Sequence, residues 1–194
     1  MLDPRRNGIL TGSQVGAAIG VSPYCSRQEC FRLITGRKTF EGNEATEYGS
    51  SMEKNAVLAY EIETNSIVEK SLDAQEFVMF EDWLGITPDG YINDIYFEAK
   101  APFSLRVPGE VPPHYMAQIQ TGMFITNKPL AHLCYWTPEH LKVFEVKFNN
   151  DYWQAVFPLV QEFHQYLLDD VEPKRKKKAV FPTVDVGVII DERN

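Results

Sequence analysis

The chain has 194 residues, 19 Lys+Arg against 27 Asp+Glu for a formal charge of −8, 44% hydrophobic residues and 12% aromatic ones. That composition excludes a wholly disordered or coiled-coil chain, and the length fits one domain with a real core. No apolar run approaches the ~20 residues that a membrane span requires. Three cysteines without a CxxC pair and four histidines without an HExxH or HxH grouping argue against a disulfide framework, a four-cysteine metal centre and a zinc hydrolase. The acidic balance weighs against nucleic acid as a partner, although carboxylates that hold a metal contribute to it. Behind Met1, Arg5 and Arg6 are followed by no apolar stretch, so no secretory signal is expected and the cytosol is the expected location.

In chain order, Thr11 with Gln14 and Ser26 with Glu29 read as capping boxes. The first opens a short helix with Val15, Ala18 and Ile19 on its apolar face, and the second opens one with Phe31, Leu33 and Ile34. The longest helical pattern runs from Glu44 to Thr64. Gly49, Ala56, Val57 and Tyr60 share a stripe there, and Glu53 lies on it. A carboxylate on an apolar face needs a partner. Segments 67–70, 76–80 and 84–87 read as strands. Pro112-Pro113 opens a helix from His114 to Thr126, 131–136 and 141–148 read as a strand pair, and Asn149 or Asn150 caps a helix to Leu168 that Pro158 is expected to kink or split. Residues 1–171 thus form one domain. The basic run 174–178 and the apolar end 184–190 read as a tail, 172–194.

The chemistry concentrates in Thr87–Lys100. Two β-prone runs flank Asn93-Asp94, which suits a two-residue hairpin turn. The resulting register pairs 92 with 95, 91 with 96 and 90 with 97, and it brings Asp89 opposite Glu98 with Lys100 on the same face. Opposed carboxylates repel unless a proton or a cation lies between them. Hard oxygen ligands, little histidine and a neighbouring lysine favour Mg²⁺ or Mn²⁺ over zinc, an arrangement suited to phosphodiester hydrolysis. Taken singly, Asp-Gly also reads as a plain turn and Glu-Ala-Lys as a solvated strand edge.

Asp89 with Glu98-Ala99-Lys100 resembles the PD-(D/E)xK nuclease pattern. Thr87–Gly90, Glu98–Ser104, Tyr115–Gln120, Arg6–Ser13 and Gly49/Glu53/Ala56/Tyr60, in that family's order, resemble the phage lambda-type exonucleases over residues 5–168. The resemblance implies an α/β, restriction-endonuclease-like mixed central β-sheet flanked by helices. It assigns Asp89, Glu98 and the backbone carbonyl of Ala99 to the metals, two Mg²⁺ per site with Mn²⁺ as a substitute. Lys100 orients or deprotonates the attacking water. Gln118 and Glu53 complete the site, Glu53 through an intervening water, with Gln120 as the second choice for Gln118. Arg6 and Ser13 match the positions that bind a 5′-phosphate.

The implied activity is 5′→3′ degradation of double-stranded DNA ends to 5′-mononucleotides, leaving 3′ overhangs for recombination. The implied partners are a single-strand annealing protein and two further copies in a trimeric ring, and the implied source is a phage or prophage. An endonuclease or a single-strand 5′ exonuclease on the same scaffold is the first alternative. A non-enzymatic acidic protein that mimics or binds DNA is the second. A local cluster of Arg5, Arg6, Arg27, Arg32, Arg37, Lys38 and Lys100 is the expected answer to the low pI.

Overall fold

The computed structural model describes residues 8–175 and 179–193. Strand β1 (Leu10–Thr11) leads into α1 (Gly12–Ala18), where the Gln14 side chain turns back to accept from the Thr11 amide at 3.0 Å. Ser26 caps α2 (Arg27–Ile34) by accepting from the Glu29 amide, as its sequence predicts. Helix α3 spans Glu44–Thr64 with Asn43 as its cap. Then come β2 (Val78–Phe80), β3 (Leu84–Ile86), β4 (Gly90–Ile92), β5 (Ile95–Lys100), α4 (Pro113–Thr126), β6 (Leu130–Thr137), β7 (His140–Lys147), α5 (Asn150–Leu168) and β8 (Val186–Arg193).

The main sheet runs β4-β5-β6-β7-β8 and is mixed: β5 and β6 are parallel, every other pair antiparallel. A parallel pair needs a long crossover, and α4 supplies it. Alternation then divides the sheet into two faces. Phe97, Ala99, Cys134 and Val143 pack under α3 with its Ala56, Val57 and Tyr60. Tyr96, Leu133, Tyr135 and Phe144 pack with α1, α4 and α5 through Val15, Ile119, Met123, Val156 and Phe163. A smaller sheet, β1-β3-β2, completes the α1 side. Among the described residues, no helix is long and apolar enough to cross a membrane.

Three expectations need correction. Residues 67–70 do not form a strand: only Glu69 bridges β4, exchanging backbone bonds with Tyr91, and a 3-10 turn follows at Leu72–Ala74. Of the kink or split expected at Pro158, the split does not occur, since helix α5 continues through that residue. The apolar end read as a tail supplies β8, which pairs with β7 and leaves Val188 and Ile189 exposed on an edge strand. Val184, Val186 and Val188 alternate with Asp185 and Gly187, a strand signal that the reading as a tail passes over. Residues 176–178 of the basic run lie outside the described residues.

The hairpin has the predicted register, Ile92↔Ile95, Tyr91↔Tyr96 and Gly90↔Phe97, with Asn93 at φ 53° in the turn. The ladder stops there. Gly90 sits at φ 156°, where a methyl group would lie 2.3 Å from Val68 Cγ1 and 2.9 Å from the Glu69 carbonyl. Gly90→Ala is therefore expected to destabilise the fold by about 1–3 kcal/mol. Urea unfolding checks this, a midpoint equal to that of the unmodified chain being the contrary result.

Candidate active site

Because β4 ends at Gly90, the sheet is open beside the last residues of β5. Asp89 occupies that opening but is not the direct cross-strand partner of Glu98. Instead one of its carboxylate oxygens accepts from the Ala99 amide at 2.8 Å and the other from Gln75 Nε2 at 3.0 Å. The N–H and C=O of a strand residue leave on the same side, so the Ala99 carbonyl faces the same open edge. Asp89 and Glu53 also line one cavity of about 320 Å³ together with Ser50, Lys54, Asp73 and Gln75.

Glu98 and Lys100 approach from the α4 face. Glu98 is 2% exposed. Its carboxylate accepts from Tyr96 Oη at 2.6 Å, from Gln118 Nε2 and from the Lys100 ammonium. Lys100 in turn lies over the Tyr115 ring, 5.2 Å from its centroid. Gln118 reaches Glu98 because α4 crosses this face of the sheet at close range: a methyl group on Gly122, one turn further along, would lie 2.5 Å from the Tyr96 ring.

Charge ties the two sides together. Burial raises the Asp89 pKa well above the carboxylate range, the Glu98 and Glu53 charges add to that, and Lys100 opposes it. Glu53 is raised by burial, with Lys100 lowering and Glu98 raising it further. For Lys100, burial alone would lower the pKa, but Glu98 and Asp89 more than reverse this and hold the ammonium charged.

Asp89, Glu98, Lys100, Gln118 and Glu53 are thus brought into one interacting group. Gln120 is not part of it. Fully buried, it bonds the Lys147 carbonyl and the Asn149 amide and so fastens α4 to the start of α5. Ser13 is exposed at the start of α1, its Oγ 3.2 Å from Thr11 Oγ1, and Arg6 lies outside the described residues.

Sequence reasoning missed Tyr96, Gln75 and Tyr115. Tyr96 had a usable signal, since it stands two residues before Glu98 on the same strand face. Gln75 had none, because an irregular turn carries it to Asp89.

The expected basic cluster does not form an open patch. Arg32 pairs with Glu172, Arg37 with Asp170, Lys38 with Glu29, Lys100 with Glu98, and the buried Arg27 with Glu162 at 3.5 Å. The partners of Arg27, Arg32 and Arg37 lie more than a hundred residues away in sequence, beyond the reach of local pattern. Arg5 and Arg6 lie outside the described residues.

The donors at the open edge, two carboxylates and a backbone carbonyl, are hard oxygens of the kind Mg²⁺ takes. Among the described residues, no three His, Cys, Asp or Glu side chains gather into a metal-holding cluster, so this donor set depends on the Ala99 carbonyl. Asp89 and Glu98, whose charges act on each other, fit a divalent cation.

This mixed sheet, with acids and a lysine at its open edge, has the fold of solved exonucleases. The alkaline exonuclease LHK-Exo from Laribacter hongkongensis is similar with a TM-score of 0.70 at 22% identity, over 86% of this chain and 91% of that one. LHK-Exo in complex with dAMP gives the same TM-score at 21% identity, over 86% of this chain and 91% of that one. A phage-related exonuclease from Haemophilus somnus 129PT gives 0.63 at 13% identity, over 82% and 93%. Residues 2–129 match the model of the YqaJ-like viral recombinase domain, and the chain belongs to that family. No curated protein matches it.

Proposed function

We propose that the chain is a Mg²⁺-dependent 5′→3′ exonuclease that degrades duplex DNA from its ends, releases 5′-mononucleotides and leaves 3′ overhangs for strand annealing. The observation that carries this reading is the convergence of Asp89, Glu98, Lys100, Glu53 and Gln118 at the open edge of the sheet. Family membership and the exonuclease fold support it.

In this reading Asp89, Glu98 and the Ala99 carbonyl would hold the metal, two Mg²⁺ per site, with Mn²⁺ able to substitute. When bound, Mg²⁺ supplies positive charge to the phosphate and lowers the pKa of water. Water adds to phosphorus and the P–O3′ bond breaks, the leaving O3′ taking a proton, so the attacked phosphate becomes the 5′-phosphate of the strand left behind and the released nucleotide carries the 5′-phosphate it already had. The Lys100 ammonium, kept charged by its acidic neighbours, steadies the attacking oxygen and the charge that develops on the phosphate. Gln118 holds the Glu98 carboxylate in place, and Glu53 acts through a water. Ser13, with Arg6, receives the 5′-phosphate. A trimeric ring, a single-strand annealing partner, a cytoplasmic location and a phage or prophage source complete the reading.

Digestion of end-labelled linear duplex, with and without a 5′-phosphate, beside closed circular DNA tests this. Progressive release of mononucleotides from phosphorylated ends in Mg²⁺ is expected. Cleavage of closed circles would favour an endonuclease, and DNA left intact in Mg²⁺ would favour a non-enzymatic protein.

A further inference from the structure

The loop between β5 and α4 begins immediately after Lys100, and the functional reading so far leaves it unused. Its first carbonyl, that of Ala101, lies against Gly49 of α3, where a methyl group would be 3.8 Å away. Gly49 is one helical turn before Glu53, so the loop rises from the rim of the site. Phe103 is 52% exposed yet fixed, resting edge-to-face on Tyr48 with the ring centroids 5.7 Å apart. A tight turn follows. The Leu105 amide donates to the Pro102 carbonyl at 2.9 Å, and Leu105 adopts φ 56°, uncommon for a residue with a side chain. Backbone held in such a region gathers at functional sites.

The turn leaves Arg106 exposed, and Arg106 has no carboxylate partner among the described residues. Arg27, Arg32 and Arg37 each hold one. A free guanidinium beside a braced, exposed aromatic ring is the pairing that proteins use on nucleic acid strands, the ring stacking on a base and the fork taking a phosphate. At the rim of an acidic site it also offsets repulsion of the DNA backbone.

We infer that this loop grips the DNA at the site, with Phe103 stacking on a base and Arg106 pairing with a backbone phosphate. The inference rests on the nuclease reading above. The full chain and a 5′-phosphorylated linear duplex test it through the half-saturating concentration of ends, the turnover rate and the salt dependence.

Phe103→Ala should raise the half-saturating concentration roughly five- to a hundred-fold with turnover nearly unchanged. Phe103→Leu, which keeps an apolar contact for Tyr48, should behave like Phe103→Ala, and Phe103→Trp should restore binding. Arg106→Ala should lower the slope of log affinity against log salt by about one, and Arg106→Lys should keep it. Should Phe103→Ala unfold, Phe103→Leu carries the comparison. Unmodified chain that degrades duplex while Phe103→Leu and Arg106→Ala match its affinity and salt slope would overturn the inference and leave the nuclease reading standing. Unmodified chain that releases no nucleotide would overturn both.

Discussion

Lys100→Met is expected to slow nucleotide release from a linear duplex about 10²- to 10³-fold at saturating Mg²⁺ and DNA, the loss seen when one group stabilising transition-state charge is removed. Methionine keeps the length and apolar stem of lysine, so packing over the Tyr115 ring survives while the charge is lost. Of the two roles that the resemblance leaves to this lysine, the proposal takes orientation and charge stabilisation. Its ammonium donates to Glu98, and Glu98 and Asp89 hold it protonated against the effect of burial. Steady-state release of acid-soluble nucleotide, with a thermal melt in parallel, measures the effect. A folded Lys100→Met variant within about three-fold of the unmodified rate would exclude this role.

The second large effect concerns stability without metal. Asp89 and Glu53 both have raised pKa values in the folded chain, burial being the main cause. Folding then favours their protonated forms. Their contribution to stability is complete below the unfolded carboxylate pKa of about 4 and is lost as pH rises through the higher folded values. In the absence of divalent ions, the melting temperature should fall over that range for the unmodified chain and fall less for Asp89→Asn. Lys100, whose raised pKa concerns alkaline pH, does not affect this window. Mg²⁺ should reverse the loss for the unmodified chain by about 2.7 kcal/mol at a hundred-fold excess over Kd, and barely for Asp89→Asn. Parallel pH profiles, or an equal Mg²⁺ response in both proteins, would contradict the account.

Much of this arrangement was legible in the residues. The caps at Thr11, Ser26 and Asn149, and the two-residue turn at Asn93-Asp94, act over three or four positions and formed as expected. The hairpin register followed from that turn alone, whereas Gln118 was singled out by the resemblance, and its bond to Glu98 was not foreseen. What escaped depends on contacts distant in sequence. Asp89 turns to the Ala99 amide because Gly90 ends the ladder, where a simple register would have continued it. Arg32 and Arg37 are neutralised by the segment around Asp170–Glu172, which nothing near α2 announces. Strand β8 depends on the free edge of β7, and a local pattern cannot show that an edge is free.

The central claim is that the opening beyond β4 is a cation site built from both acids and one backbone carbonyl. Anomalous diffraction from crystals soaked in Mn²⁺ tests it most directly. The account predicts a peak contacting the carboxylates of Asp89 and Glu98 and the carbonyl of Ala99, absent from Asp89→Asn crystals. A Mn²⁺ peak bound elsewhere with this opening empty, or one that persists unchanged in Asp89→Asn, would contradict it.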